Sequence, residues 1–108
     1  MYADDILIGR IRAMGKASDE LEASENVYYN LDASTKAIYS SIFNEKQGTI
    51  AEREAQAHSD SRMTCHMTAL SAARTDWNKK RRNYEITMKA YDAAHLTFKM
   101  QGDQIKRQ

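Results

Sequence analysis

A 4-3 spacing runs unbroken through Met63, Met67, Leu70, Arg74, Trp77, Arg81, Tyr84, Met88, Tyr91, His95, Phe98, Gly102 and Ile105. Over about six heptads without a proline, this spacing predicts one long helix whose seam needs a helical partner. Four members of the seam, Arg74, Arg81, His95 and Gly102, are not apolar. A guanidinium buried alone is costly, so Arg74 and Arg81 are expected to set register or to pair with acids such as Glu22 or Glu25.

The rest of the chain reads as helix too. Asp4 and Asp5 favour the positive end of a short helix over about residues 3–14 that carries Leu7, Ile11 and Met14 on one face, and Gly15 is expected to end it. Ser18 before Asp19 and Glu20 is a plausible N-cap for a second helix over about 18–47. The stripe of that helix, Leu21, Ser24, Tyr28, Leu31, Thr35, Ile38 and Ile42, is again spaced by threes and fours. Gly48 is its natural stop, and Thr49 with Glu52 forms a capping box that opens a third helix over about 50–58. Ser59, Asp60 and Ser61 then mark a break or an irregular turn before the final helix, about 61–105. With only four glycines and no proline, nothing favours strands and tight turns. The fold expected is all-α, a single domain of long amphipathic helices forming a helical hairpin or coiled-coil oligomer.

Length supports the oligomer. The final helix is expected to be about 65 Å long and the second about 45 Å, so an intramolecular hairpin leaves part of the seam for another subunit. A chain of 108 residues is also short enough for association to help bury its apolar faces.

A formal net charge of +1 gives no global attraction to nucleic acid or to an anionic membrane. The distribution is uneven, however. Residues 1–48 hold five Lys and Arg against eight Asp and Glu, whereas residues 49–108 hold eleven against seven, so the basic character belongs to the C-terminal helix. Cys65 is the only cysteine, which excludes an internal disulfide and points to a reducing, cytoplasmic setting. The acidic opening, followed by only Ile6-Leu7-Ile8, predicts no secretory leader, and no run of about 18 apolar residues is long enough to span a membrane.

Catalytic and metal chemistry find little footing. His58, Cys65, His66 and His95 lack paired ligand spacing, so no metal and no cofactor is expected. Consecutive helix positions point about 100° apart, so Cys65 and His66 do not make a nucleophile and base. The acid pairs Asp4 with Asp5 and Glu52 with Glu54 suit helix N-termini, and the four glycines stand too far apart for a phosphate loop. The constellation with chemical content is Trp77-Asn78-Lys79-Lys80-Arg81-Arg82-Asn83-Tyr84, four cations between two aromatics. Helical geometry assigns Trp77, Arg81 and Tyr84 to the seam. Lys79, Arg82 and Lys89 line the opposite face, where they either track a phosphate backbone or form a solvated surface.

The run Gly48-Thr49-Ile50-Ala51-Glu52-Arg53-Glu54-Ala55-Gln56-Ala57-His58-Ser59 resembles a group of small helical proteins of tailed bacteriophages, encoded in early, recombination-associated gene blocks. Ala73-Arg74-Thr75-Asp76-Trp77, the cations at 79–82 and the helix from Tyr84 to Met100 continue the resemblance, which covers roughly residues 20–105. Several relatives end in a W-R-x-x-x-A-N-like segment, from which residues 98–103 depart. The group is similar in architecture to phage recombination mediators. That similarity implies a non-enzymatic oligomer in the host cytoplasm, with single-stranded DNA and a recombinase as partners. Under it Lys79, Lys80, Arg82 and Lys89 hold phosphates, while Met67, Leu70, Trp77, Tyr84, Met88, Tyr91 and Phe98 hold the subunit interface. Two alternatives fit the same composition: an inhibitor that occupies a host enzyme or defence complex, and a structural coiled-coil adaptor.

Overall fold

The computed structural model describes residues 3–107 and the side chains of 4–104. Met1 and Tyr2 of the acidic opening, and the side chain of Ile105 at the end of the expected seam, lie outside the described residues. The chain is all-α: α1 spans Ala3–Glu45, α2 Ile50–Ser59 and α3 Ser61–Arg107, with no strand among the described residues.

The expected stop at Gly15 does not occur. α1 passes through Gly15 and Ser18 without interruption. A glycine inside a helix costs about 1 kcal/mol relative to alanine, which packing overrides when the apolar face continues in phase. It does so here: Met14, Ala17 and Leu21 keep the spacing of threes and fours, and Ala17 is 2% exposed.

Gly48 is different. Its φ of +118° is one that L side chains rarely adopt, and this sets the turn between α1 and α2. Thr49 caps α2, its hydroxyl accepting from the Glu52 N–H at 3.2 Å and its carbonyl from the Arg53 N–H at 2.9 Å. Arg53 lies with its guanidinium 4.1 Å over the Phe43 ring and donates to the Phe43 carbonyl at 3.3 Å. Ala57 is fully buried. The Gly-Thr-x-Ala-Glu-Arg run is thus a folding element that ties α2 back onto α1.

The break between α2 and α3 is one extended residue, Asp60, with φ −62° and ψ 136°. Its carboxylate accepts from the Arg62 N–H at 2.9 Å, the Arg62 Nε at 3.0 Å and the Lys46 Nζ at 2.9 Å. Arg62 also donates to both carboxylate oxygens of Glu45. The bonds from Arg62, then from Lys46, hold the Asp60 carboxyl well below its ordinary range. One cation clamp therefore joins all three helix ends.

The chain divides into two compact units, Ser24–Trp77 and a second formed by residues 1–23 with 78–108. In Ser24–Trp77, Ile42, Ala57 and Met63 form the core, with Ile38, Tyr39 and Phe43 against it. The helices are antiparallel there. Thr35 meets His66 at 2.8 Å inside the pair, and Tyr28 stacks on Trp77 with centroids 5.1 Å apart. The α1 stripe Leu21, Ser24, Tyr28, Leu31, Thr35, Ile38 and Ile42 is buried or half-buried throughout, as its spacing predicts. In the other unit the helices are again antiparallel: Ile6 and Arg10 lie beside Ala90 and Ala94, and Glu20 beside Lys80.

The seam of α3 is corrected by one residue in every heptad. Met63, Leu70, Trp77, Tyr84 and Tyr91 turn inward as expected, but the alternate members Met67, Arg74, Arg81, Met88 and His95 are exposed. Their inward places are taken by His66, Ala73, Lys80, Thr87 and Ala94. Physically, the shift places two guanidiniums at the surface of the pair and small alanines on its inward side. Arg74 pairs with Tyr28, donating to its hydroxyl at 2.8 Å, in place of the expected acid.

Candidate nucleic-acid interface

The helix that carries the cations is held against α1 by Tyr84, Thr87 and Tyr91, so the positions opposite these residues face away from the pairing. Lys79, Arg82 and Lys89 are all exposed. Arg82 and Lys89 stand seven residues apart on the outward side, Lys79 flanks them, and the three span about 15 Å of helix. Such a row offers separated point charges and one planar fork to successive phosphates. Exposed Glu85 and Asp92 interrupt the positive field about one turn on either side of Lys89.

Lys80 does not belong to this row. It occupies an inward position of the heptad, is half-buried, and lies 3.7 Å from the Glu20 carboxylate on α1. The helix pairing thus sets Lys80 apart from the outward row, with its ammonium near an α1 carboxylate and its side chain still about one-third exposed. Arg81, expected on the seam, is exposed and donates to the Asn78 side chain at 2.8 Å, which places its charge on the flank of the stripe.

The expected interface residues divide into two sets. Leu70 is buried, and Trp77, Tyr84 and Tyr91 are half-buried, in the packing of the chain on itself. Trp77 lies against Tyr28 and against Tyr29, whose ring centroid is 5.7 Å away. Met67, Met88 and Phe98 are exposed, at 46%, 39% and 44%, and remain open to a second chain.

His66 is buried and bonded to Thr35, whereas Cys65 beside it is exposed, so the two do not act as a pair. Among the described residues no three His, Cys, Asp or Glu side chains gather as a metal site, and no helix is long and apolar enough to cross a membrane.

One surface escaped the apolar spacing. An open groove of about 1180 Å³ runs along Ser24–Trp77 between α1 and α3, floored by Tyr39, Met63 and Met67 and walled by threonines of α3. Its sequence signal is a run of hydroxyl residues, Thr64, Thr68, Ser71 and Thr75, at 4-3-4 spacing, a pattern that ordinarily reads as solvated.

Comparison with known proteins finds no matching family model, no matching curated protein and no matching solved structure.

Proposed function

We propose that this chain is a non-enzymatic, oligomeric phage accessory protein that binds single-stranded DNA, a recombinase or both, and so assists recombination or replication. The observation that carries the DNA part is the exposed row Lys79, Arg82 and Lys89 on the outward side of α3. The phage and recombination setting rests on the resemblance at residues 48–59. Three phosphate contacts are a weak, salt-sensitive site, the kind an accessory gains by repeating it across subunits.

The test is light scattering on a sizing column, with and without a single-stranded oligonucleotide, at about 50 mM and 200 mM salt, a range over which phosphate contacts lose much of their strength. A complex at low salt that dissociates at high salt supports the reading. Replacing Lys79, Arg82 and Lys89 together by Gln is expected to flatten the salt dependence by about two units of slope, since each phosphate on a single strand contributes about 0.7. An unchanged slope removes the stripe from the site.

A second reading draws on the exposed acids Asp4, Asp5, Asp19 and Glu22 of α1. A helix displaying spaced carboxylates imitates a phosphate backbone, which suits an inhibitor occupying a host nucleic-acid enzyme. Indifference to DNA together with tight one-to-one capture of a host enzyme favours that reading.

A further inference from the structure

The cation clamp at the helix ends bypasses the body of α2. Lys46 bonds to Asp60 at 2.9 Å, and Arg62 bonds to both Asp60 and Glu45, so its members stand at the end of α1 and the entry to α3. The pairing of α1 with α3 is therefore closed without α2, and residues 47–59 form an excursion whose two ends are already tied together. A compact surface segment with joined ends can leave its seat without parting the elements that flank it.

α2 itself is held lightly. Of its ten residues Ala57 is buried and Arg53 half-buried, while the other eight are exposed, Ile50 at 67%. Its only fully buried side chain is thus a methyl group. Arg53 adds the guanidinium laid over Phe43, Gln56 a bond to the Gln47 carbonyl at 3.4 Å, and His58 a ring 5.0 Å from that of Tyr39. Seating Arg53 also buries its Nε with no hydrogen-bond partner among the described residues, which offsets part of what the ring contact contributes. A joint stands on each side: Gly48, at φ +118°, before the helix, and the single extended residue Asp60 after it.

The seat of α2 adjoins the groove. His58 lines the groove where it meets the turn, and Tyr39 and Met63 belong both to the groove and to the core that Ala57 completes. Lifting α2 uncovers Ile42 and Phe43 next to them and lengthens the apolar floor.

We propose that α2 is a lid that lifts as one unit, on joints at Gly48 and Asp60, to extend the groove of Ser24–Trp77 over Ile42 and Phe43 while the clamp keeps α1 and α3 paired. The proposal is independent of DNA binding and of association.

The test is amide hydrogen exchange of the full-length chain, followed residue by residue by NMR at rising but sub-denaturing urea. A ten-residue helix off its seat melts, so lifting opens its amides to solvent. The amides of residues 54–58 are expected to share one opening, about a hundredfold more frequent than that of the inner amides at 38–42 and 66–70, and only weakly dependent on urea because little surface is exposed. Arg53→Ala removes two ties between α2 and α1 and none between α1 and α3. It is expected to speed exchange at 54–58 about tenfold and to leave 38–42 and 66–70 unchanged. Exchange at 54–58 that matches the inner helices in rate and urea slope makes α2 part of the global unit and overturns the lid. Protection that declines smoothly from the ends of α2 is fraying and overturns it as well. So does an acceleration in Arg53→Ala that reaches 38–42 and 66–70 equally.

Discussion

Replacing Gly15 by alanine tests the central correction to the reading of α1. In the structure Gly15 is an exposed interior residue of a continuous helix, and a Cβ built on it meets nothing within 4 Å. Alanine there adds no clash, removes backbone freedom from the unfolded chain and raises helix propensity. Each consideration has the same sign, and together they amount to about 0.8 kcal/mol of added stability. For a chain of this size that is about 4 °C in melting temperature. Gly48→Ala is the internal control. At φ +118°, with the Glu52 side chain already against the position a Cβ would take, the same substitution is expected to cost about 1 kcal/mol or more. Urea unfolding followed by circular dichroism at one protein concentration reads both as shifts of midpoint at constant slope. If Gly15→Ala lowers the midpoint, the chain turns at Gly15 in a glycine conformation and the continuous α1 is wrong.

Acid should act through the junction of the three helices. The Asp60 carboxyl is held low by Arg62 and Lys46, so its contribution is complete above its unfolded pKa of about 3.9 and fades as pH falls through the range below. Asp60→Asn should therefore be less stable than wild type near neutrality and close to it in strong acid, with unfolding midpoints across pH as the measure; parallel curves would refute the clamp. Trp77→Ala removes a half-buried ring from between Tyr28 and Tyr29 and should cost about 2–3 kcal/mol in denaturant unfolding, a loss under about 0.5 kcal/mol placing the ring in solvent. Lys80→Leu exchanges a half-exposed ion pair worth about 0–1 kcal/mol for apolar packing at an inward position. It should leave stability equal or higher and the salt slope of DNA binding unchanged, and a lower slope would return Lys80 to the site.

The parts of the fold legible in the sequence are those where local and tertiary preferences coincide. The stripe from Leu21 to Ile42 could be read because apolar spacing and burial agree at each step. Gly48 and Thr49 could be read because a positive φ and an N-cap each demand a particular residue type. Gly15 misled because a glycine signals only that a stop is permitted, and the continuous phase of Met14, Ala17 and Leu21 outweighed it. The seam of α3 misled for a related reason. Met67 and Met88 are more apolar than His66 and Thr87, so hydrophobicity favours the wrong row. The structure selects the row whose side chains fit against α1: His66 because Thr35 satisfies it, and Ala73 and Ala94 because they are small. That choice depends on the partner helix, which spacing within one helix does not contain. It also explains how the candidate site changed, since the slip that turned Arg81 outward turned Lys80 inward.

This displaced row bears on association. A heptad whose first position is aromatic or aliphatic but whose inward alternate is histidine, lysine or threonine makes a modest seam, because polar groups there contribute little beyond being satisfied. Among the described residues only Ala17, Tyr28, Ile42, Ala57, Met63 and Leu70 are buried apolar residues, whereas Met67, Met88, Leu96 and nine other large apolar side chains remain exposed. Apolar area therefore lies on the outside of the helix pair, where covering it with a second chain yields more than further tightening within the pair. Under the proposed association folding and assembly are linked, and the melting temperature is then expected to rise with concentration, as mass action requires. The polar alternates then have a physical rationale. They weaken the intramolecular seam without forbidding it, and the exposed apolar row beside them is the surface that the proposed association would cover.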